Sequence, residues 1–181
     1  VNIAINFTQT GSKVLLVDGD LRNPSLHKLF SCPNEQGLTN YLTGNADPAD
    51  VTQSLGIPGL FIMTAGPVPP NPAELLQGGK LIELVALGAQ RFDYVIIDSP
   101  PLLGLADAVI IADAVQATIM VAAANSTRTG AFEAGVKRLH HSRASILGTV
   151  LTKFDLKKSG DSYGYGYGYS YGGDSDDGQR A

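Results

Sequence analysis

Short apolar runs, each closed by polar or turn-forming residues, divide the chain into regularly spaced segments. Runs of four to six mostly apolar residues predict strands, and continuous rather than alternating apolarity indicates burial on both faces of a sheet. We expect such strands at residues 14–17, 60–63, 94–97, 117–121 and 146–151.

Apolar residues at helical spacing fill the intervals between these runs. We expect helices at residues 1–9, 39–42, 72–90, 106–113 and 129–141. Strands that alternate with helices are typical of a parallel sheet covered by helices on both faces. The pattern therefore predicts a doubly wound α/β fold with a mostly parallel sheet.

Charge and tyrosine are unevenly distributed, which separates a body from a tail. Residues 159–181 hold four Asp and one Arg, a net charge of −3, so residues 1–158 carry only −1 of the formal −4. Five of the seven tyrosines also lie in the tail, where Gly occupies alternate positions. We expect residues 1–158 to form one globular domain and residues 159–181 a flexible tail. The near-neutral body argues against a nucleic-acid surface.

Two of the predicted strands end in carboxylates. Asp18 and Asp20 follow the strand at 14–17, and Asp98 follows the strand at 94–97. In open α/β sheets, ligands bind beyond the carboxyl ends of the strands, and Mg²⁺ takes one or two carboxylates together with substrate phosphates. The pattern therefore indicates a magnesium–nucleotide site. The alternative is that Asp18 or Asp98 only caps the turn or helix that follows.

Four stretches of the sequence together resemble one known family. Residues 15–22 end in Asp-x-Asp-x-Arg after three apolar positions, and residues 95–101 have three apolar positions followed by Asp, Ser and Pro-Pro. Residues 64–76 contain Pro-Pro-Asn-Pro-Ala-Glu-Leu-Leu, and the tyrosine-rich C-terminus is the fourth stretch. In this order they are similar to the bacterial tyrosine kinases of capsule and exopolysaccharide synthesis, a branch of the P-loop ATPases.

The resemblance implies ATP and Mg²⁺ as cofactors and a role for each charged residue at the strand ends. Asp18 would contribute to the metal site and act as general base toward the attacking hydroxyl, while Asp20 would orient the same centre. Asp98 would hold Mg²⁺ through water. Arg22 would stabilise phosphate charge, unless it only forms a salt bridge with a neighbouring Asp.

One motif of that family is absent from the 181 residues. No Gly-x-x-x-x-Gly-Lys-Ser/Thr sequence occurs, although its backbone N–H groups and lysine normally hold the phosphates of ATP. We interpret the chain as the part of a kinase domain that follows this loop, without the first strand of the fold. We expect residues 1–181 alone neither to bind ATP tightly nor to phosphorylate.

A second departure follows the last predicted strand. Related ATPases commonly place Asn where this chain has Thr152, which is followed by Lys153. The resemblance implies that this position reads adenine, but a Thr hydroxyl cannot make the two-point contact of an amide. Both residues are nucleotide-binding candidates, with an ordinary strand end as the alternative.

The tail has two interpretations, a phospho-acceptor cluster or a solvated low-complexity linker. The resemblance favours the first, with acceptors at Tyr163, Tyr165, Tyr167, Tyr169 and Tyr171. It further implies trans-phosphorylation within a ring-forming homo-oligomer, a membrane polysaccharide co-polymerase as activator, and a phosphotyrosine phosphatase. The domain would act at the cytoplasmic side of the bacterial inner membrane, with no nucleic acid as partner.

Two other functions stay open at this point. A partition- or septum-type ATPase shares the fold and a similar acidic strand end, but the Pro-Pro after Asp98 and the tyrosine tail argue against it. The chain could otherwise be a degenerate, non-catalytic interaction module whose tail another kinase phosphorylates.

Overall fold

The structure, a computed structural model, describes residues 1–154. The expected domain boundary between 158 and 159 and the five candidate acceptor tyrosines lie outside the described residues. The helices are α1 (Asn2–Gln9), α2 (Leu26–Phe30), α3 (Leu38–Leu42), α4 (Pro72–Gln77), α5 (Gly79–Ala89), α6 (Asp107–Ala114) and α7 (Thr129–His140). The strands are β1 (Val14–Asp18), β2 (Gln53–Ser54), β3 (Leu60–Met63), β4 (Tyr94–Asp98), β5 (Thr118–Ala123) and β6 (Ile146–Thr152).

Four of these strands form one sheet in the order β2-β3-β1-β4. The central strand β1 runs parallel to β3 on one side and to β4 on the other, while β2 is a short antiparallel edge strand. The strands β5 and β6 pair in parallel as a second, two-stranded sheet. Parallel strands joined through helices confirm the predicted α/β architecture.

Both faces of β1 are covered, and all five of its residues are buried. Leu15 and Val17 belong to a core shared with α3, α4, α5 and α6, whereas Val14 and Leu16 belong to a second core shared with α1 and α2. Because side chains alternate along a strand, each face contributes to a different core. This two-sided packing fixes the position of β1 and places its last residue, Asp18, at the carboxyl end of this central strand.

The predicted single helix over residues 72–90 is wrong, because two helices occupy this stretch. Helix α4 ends at Gln77, α5 begins at Gly79, and Gly78 between them is extended, with a ψ of 150°. Glycine loses more backbone freedom in a helix than any other residue. The adjacent glycines are therefore the position at which the helix breaks most readily.

The strands β4, β5 and β6 differ from the expectation of burial on both faces, and none of the residues of β4 is fully buried. Of the six residues of β5, Met120 and Ala122 are buried, and most of β6 is exposed. Within residues 1–154 no strand pairs with both β4 and β5, so the single sheet that we expect is present as two sheets. The apolar pattern of the sequence shows where these strands lie along the chain, but it does not show which strands lie beside them in the sheet.

Two elements are not predicted from the sequence, α2 of five residues and β2 of two. Segments this short give little periodicity, and α3, which is as short as α2, is predicted in spite of its length. None of the helices in the described part of the chain is long and apolar enough to cross a bilayer.

Candidate functional site

The carboxyl ends of β1 and β4 bring the two acidic motifs together. Asp18 and Asp98 are the last residues of these strands and are paired with each other in the parallel register. Paired residues of neighbouring parallel strands project to the same face of a sheet. Both carboxylates therefore lie at one edge of the larger sheet.

The Asp18 carboxylate is 1% exposed and accepts three backbone hydrogen bonds. Its Oδ2 accepts from the N–H groups of Ser25 at 3.0 Å and Leu26 at 2.9 Å, and its Oδ1 accepts from the N–H of Asp20 at 3.3 Å. These bonds fasten the loop after β1 and the start of α2. The capping role that the sequence left open for Asp18 is therefore present in the structure.

Burial also changes the acidity of Asp18. Desolvation raises the pKa of its carboxyl above the ordinary value of 3.8, because burial penalises the charged form. The three backbone N–H groups oppose this rise in pKa, whereas the negative charge of Asp98 adds to it. A cation between the two carboxylates would relieve their repulsion.

Gly19 allows the loops after β1 and β4 to approach each other closely. Its N–H donates to the carbonyl oxygen of Asp98 at 2.7 Å. A Cβ atom at this position would lie 2.8 Å from Ile97 Cγ2 and 3.0 Å from Ile111 Cδ1. Glycine is therefore the residue that fits between the two aspartates of the Asp-x-Asp-x-Arg motif.

Asp20 shapes the loop to which it belongs. Its Oδ1 accepts hydrogen bonds from the N–H groups of Asn23 at 2.9 Å and Arg22 at 3.2 Å. An Asp side chain that bonds the backbone two or three residues later stabilises a turn. The structure thus gives Asp20 a local role in the turn that presents Arg22.

Arg22 forms a two-point ion pair with Asp107. Its Nε donates to Oδ2 of Asp107 at 2.7 Å, and its Nη2 donates to Oδ1 at 3.2 Å. The Asp107 side chain is 1% exposed and the Arg22 side chain 40% exposed. The alternative that the sequence left open for Arg22, a salt bridge to an aspartate, is therefore present.

Asp107 is a site residue that the sequence reasoning missed. It lies 85 positions from Arg22 and in the first turn of α6, where the helix dipole alone favours an acidic residue. One signal could have found it. Asp107 precedes a stretch of Ala, Val and Ile, and a carboxylate buried among such residues needs a cationic partner.

Thr152 and Lys153 lie at the carboxyl end of β6 in the two-stranded sheet, whereas the aspartates belong to the four-stranded sheet. The hydroxyl of Thr152 donates to the carbonyl oxygen of Ala122 at 3.2 Å, and Lys153 has a left-handed φ of 55°. The strand-end role is therefore present for Thr152. Nucleotide binding by either residue stays a prediction.

The donor set at the strand ends suits Mg²⁺. No group of three or more His, Cys, Asp or Glu side chains that could hold a metal occurs within residues 1–154. Mg²⁺ needs only one or two carboxylates, because water and phosphate oxygens complete its octahedron. The paired side chains of Asp18 and Asp98 meet that requirement.

Comparison with known proteins finds relatives along most of the chain, although no family model matches it. A protein of the cps region of Klebsiella pneumoniae is 39% identical over 163 residues, which cover 90% of this chain and 22% of that protein. The tyrosine-protein kinase CpsD of Streptococcus agalactiae serotype III is 36% identical over 164 residues, which cover 90% of this chain and 70% of that protein. The chain thus spans less than a quarter of one relative and about 70% of the other.

Solved structures also resemble this chain over most of its length. The kinase domain of the Escherichia coli tyrosine kinase Etk is 34% identical, with a TM-score of 0.82 over 92% of this chain and 65% of that domain. A septum site-determining protein of Pyrococcus horikoshii, complexed with Mg-ADP, is 24% identical with a TM-score of 0.68 over 83% of this chain and 61% of that chain. This second likeness shows the fold alone. The fold is that of P-loop NTPases, as the sequence predicts.

Proposed function

The chain belongs to the family of bacterial tyrosine kinases, and on that premise we propose that its protein is an ATP-dependent tyrosine autokinase. The observation that carries the proposal is the register pairing of Asp18 with Asp98 at the carboxyl ends of parallel strands. This is the edge at which open α/β sheets bind ligands. The activity is proposed for the whole protein, because residues 1–181 contain no Gly-x-x-x-x-Gly-Lys-Ser/Thr loop.

The proposed reaction transfers the γ-phosphoryl group of ATP to a tyrosine. The phenolic oxygen forms a bond to the γ-phosphorus while the bond from that phosphorus to the β,γ-bridging oxygen breaks, and ADP leaves. Asp18 accepts the phenolic proton, a role supported by its position at the carboxyl end of β1. Asp18 and Asp98 would hold Mg²⁺, Asp98 through water, and the ion would supply neutralisation of charge on the phosphates.

Supporting roles fall to four further residues in this proposal. Asp20 maintains the loop after β1, and Arg22 donates to a phosphoryl oxygen. Thr152 and Lys153 contact the adenine, an assignment supported by their exposed position at the carboxyl end of a strand.

The acceptors in this proposal are the tyrosines of the tail, so residues 1–158 act as the kinase body and residues 159–181 as its substrate. The composition supports the division, because five tyrosines alternate with small residues between 163 and 171. Each phosphate adds a charge of about −1.5 to −2 to a tail that is already acidic. The resulting repulsion would loosen a ring held together by tail-to-site docking.

The biological setting follows from the same family. We place the protein in a ring-forming homo-oligomer at the cytoplasmic side of the bacterial inner membrane, where one subunit phosphorylates the tail of the next. A membrane polysaccharide co-polymerase would activate it, and a phosphotyrosine phosphatase would reverse the modification. Control of capsule or exopolysaccharide synthesis is supported by the relative from the cps region.

Phosphate mapping on the full-length protein tests the proposal. With Mg-ATP, mass spectrometry is expected to find phosphotyrosine at positions 163–171. Asp98→Asn is expected to lower incorporation about 100-fold, whereas Asp50→Asn, an exposed control in a loop remote from β1 and β4 in the sequence, leaves it unchanged.

Exchange of all five tail tyrosines for Phe separates the kinase from its substrate. This variant should lose its own modification and still phosphorylate the tail of an added inactive Asp98→Asn protein. A full-length protein that makes no phosphotyrosine, but whose tail is modified by another kinase, would instead establish the non-catalytic interaction module.

A further inference from the structure

The ion pair between Arg22 and Asp107 links the loop after β1 to the beginning of α6. It is the only ion pair among the side chains of residues 1–154. Two parallel N–H···O bonds join the guanidinium fork to both carboxylate oxygens. This geometry fixes the plane of the guanidinium as well as its position, which a single contact would not do.

Within residues 1–154, the Asp107 carboxylate accepts hydrogen bonds from Arg22 alone. No side-chain hydrogen bond caps the start of α6, although Asp107 lies in its first turn. The loop that precedes it is braced by Arg138, whose Nη2 donates to the carbonyl oxygen of Leu105 at 2.6 Å. On the next turn of α6, Ile111 packs against the loop at Gly19. The carboxylate is therefore a buried acceptor that is bonded at both oxygens to Arg22.

The other edge of the Arg22 guanidinium is uncommitted. Its Nη1 donates to no acceptor among the described residues, and the side chain is 40% exposed. Arg22 also lines a groove of about 360 Å³ together with residues 70–74. The guanidinium thus presents spare N–H donors from the loop that follows Asp18 and contains Asp20.

We propose that Asp107 is a positioning residue, which orients the Arg22 guanidinium so that its free edge donates to the phosphoryl group during transfer. The inference rests on the proposed kinase function. It explains why a charged pair, rather than an apolar one, joins the two elements. A well-packed apolar pair would link them at equal or greater stability, but it would offer no donor to a phosphate.

The test compares three variants of the full-length protein by the rate of phosphotyrosine formation at varied Mg-ATP. Asp107→Asn keeps the shape of the side chain but removes its charge, and Arg22→Lys keeps the charge but removes the fork. Each is expected to lower kcat about tenfold or more while KM for ATP changes less than about twofold. The double variant Arg22→Lys/Asp107→Asn should be no worse than the poorer single variant.

An apolar replacement of the pair separates a role of Arg22 in phosphoryl transfer from a purely structural linkage, whereas Asp107→Asn tests the positioning role of Asp107. Arg22→Met/Asp107→Leu is expected to keep the thermal unfolding midpoint near that of the wild type and to lose the activity. If the pair only links the two elements, this variant retains both its midpoint and its activity, which would overturn the inference.

Two further outcomes are also decisive. An active wild type whose Asp107→Asn variant retains kcat within about twofold overturns the role of Asp107 and leaves the proposed function standing. A wild-type protein that forms no phosphotyrosine overturns the proposed function and this inference with it.

Discussion

Asp18 and Asp98 occupy equivalent positions at the ends of neighbouring strands, yet their surroundings differ sharply. Asp18 is buried and accepts three backbone N–H groups, whereas Asp98 is exposed to solvent. Two carboxylates in unlike environments can serve different purposes within one site. The buried one is suited to proton transfer and loop structure, and the exposed one to a hydrated cation.

Exchange of Asp98 for Asn is expected to stabilise the chain by about 0.5 kcal/mol at neutral pH, because it removes a charge that repels the Asp18 carboxylate. Since the folded pKa of Asp18 lies above 3.8, the native state retains a proton that the unfolded state releases. The wild type therefore loses stability as the pH rises from about 4 through that pKa. Asp98→Asn should reduce this loss.

Urea unfolding of both proteins without metal, at pH values from about 3 to 8, measures the free energy of unfolding. The difference between variant and wild type should be near zero at the acid end, where Asp18 is protonated in both states. It should reach its plateau above the folded pKa of Asp18. A difference that is largest at the acid end would contradict the assignment.

The geometry of the site depends more on contacts at the junctions between strands and loops than on contacts within the strands. Gly19 joins the loop after β1 to β4 through its bond to Asp98, and Ile111 of α6 packs on the same position. Three elements thus meet at a residue without a side chain. Any Cβ atom at this point would push these elements apart.

Gly19→Ala is therefore expected to destabilise the chain by about 1–3 kcal/mol, because the added methyl group collides with Ile97 and with the Asp98 carbonyl oxygen. Gly130→Ala is the matched control, since Gly130 lies in α7 and its Cβ position has no atom within 4 Å. That variant should be neutral or stabilising by up to about 1 kcal/mol. Equal losses in urea unfolding for both variants would contradict the close approach.

The local pattern predicts the elements around the site better than the contacts between them. β1 and β4 are found within one residue of their expected ends, because apolar runs closed by Asp are visible in the sequence itself. The hydrogen bonds that Ser25 and Leu26 donate to Asp18 depend on how the loop folds back. The pairing of Arg22 with Asp107 joins residues 85 positions apart, a relation that no local pattern contains.

At the scale of the whole molecule, the two-stranded sheet of β5 and β6 is the part of the fold that the sequence predicts least well. Within residues 1–154 only two strands form it, and a pair of strands gains little stability without packing on another element. Met120 of β5 and Leu139 of α7 supply that packing in a small core of their own. The strand β6 is exposed because it has β5 as its one neighbouring strand within residues 1–154. The residues of β6 themselves do not determine how many strands lie beside it.

Nucleotide affinity is also a property of the whole molecule. Residues 1–181 are expected to show no saturable binding of Mg-ATP at micromolar concentration in isothermal titration. The sequence contains no Gly-x-x-x-x-Gly-Lys-Ser/Thr loop, so no N–H cradle or lysine of that loop holds the phosphates. The full-length protein is the positive control, and sub-micromolar binding by residues 1–181 would contradict the expectation.

The bonds from Ser25 and Leu26 to Asp18 have a thermodynamic consequence for α2. A cation that attracts the Asp18 carboxylate competes with the two backbone donors that begin this helix. The two effects are linked and equal in size. If cation binding changes the equilibrium constant for folding of α2 by some factor, folding of α2 changes the cation affinity by the same factor. If a cation binds at the proposed site, its occupancy would therefore change the order of a helix that contributes no ligand to it.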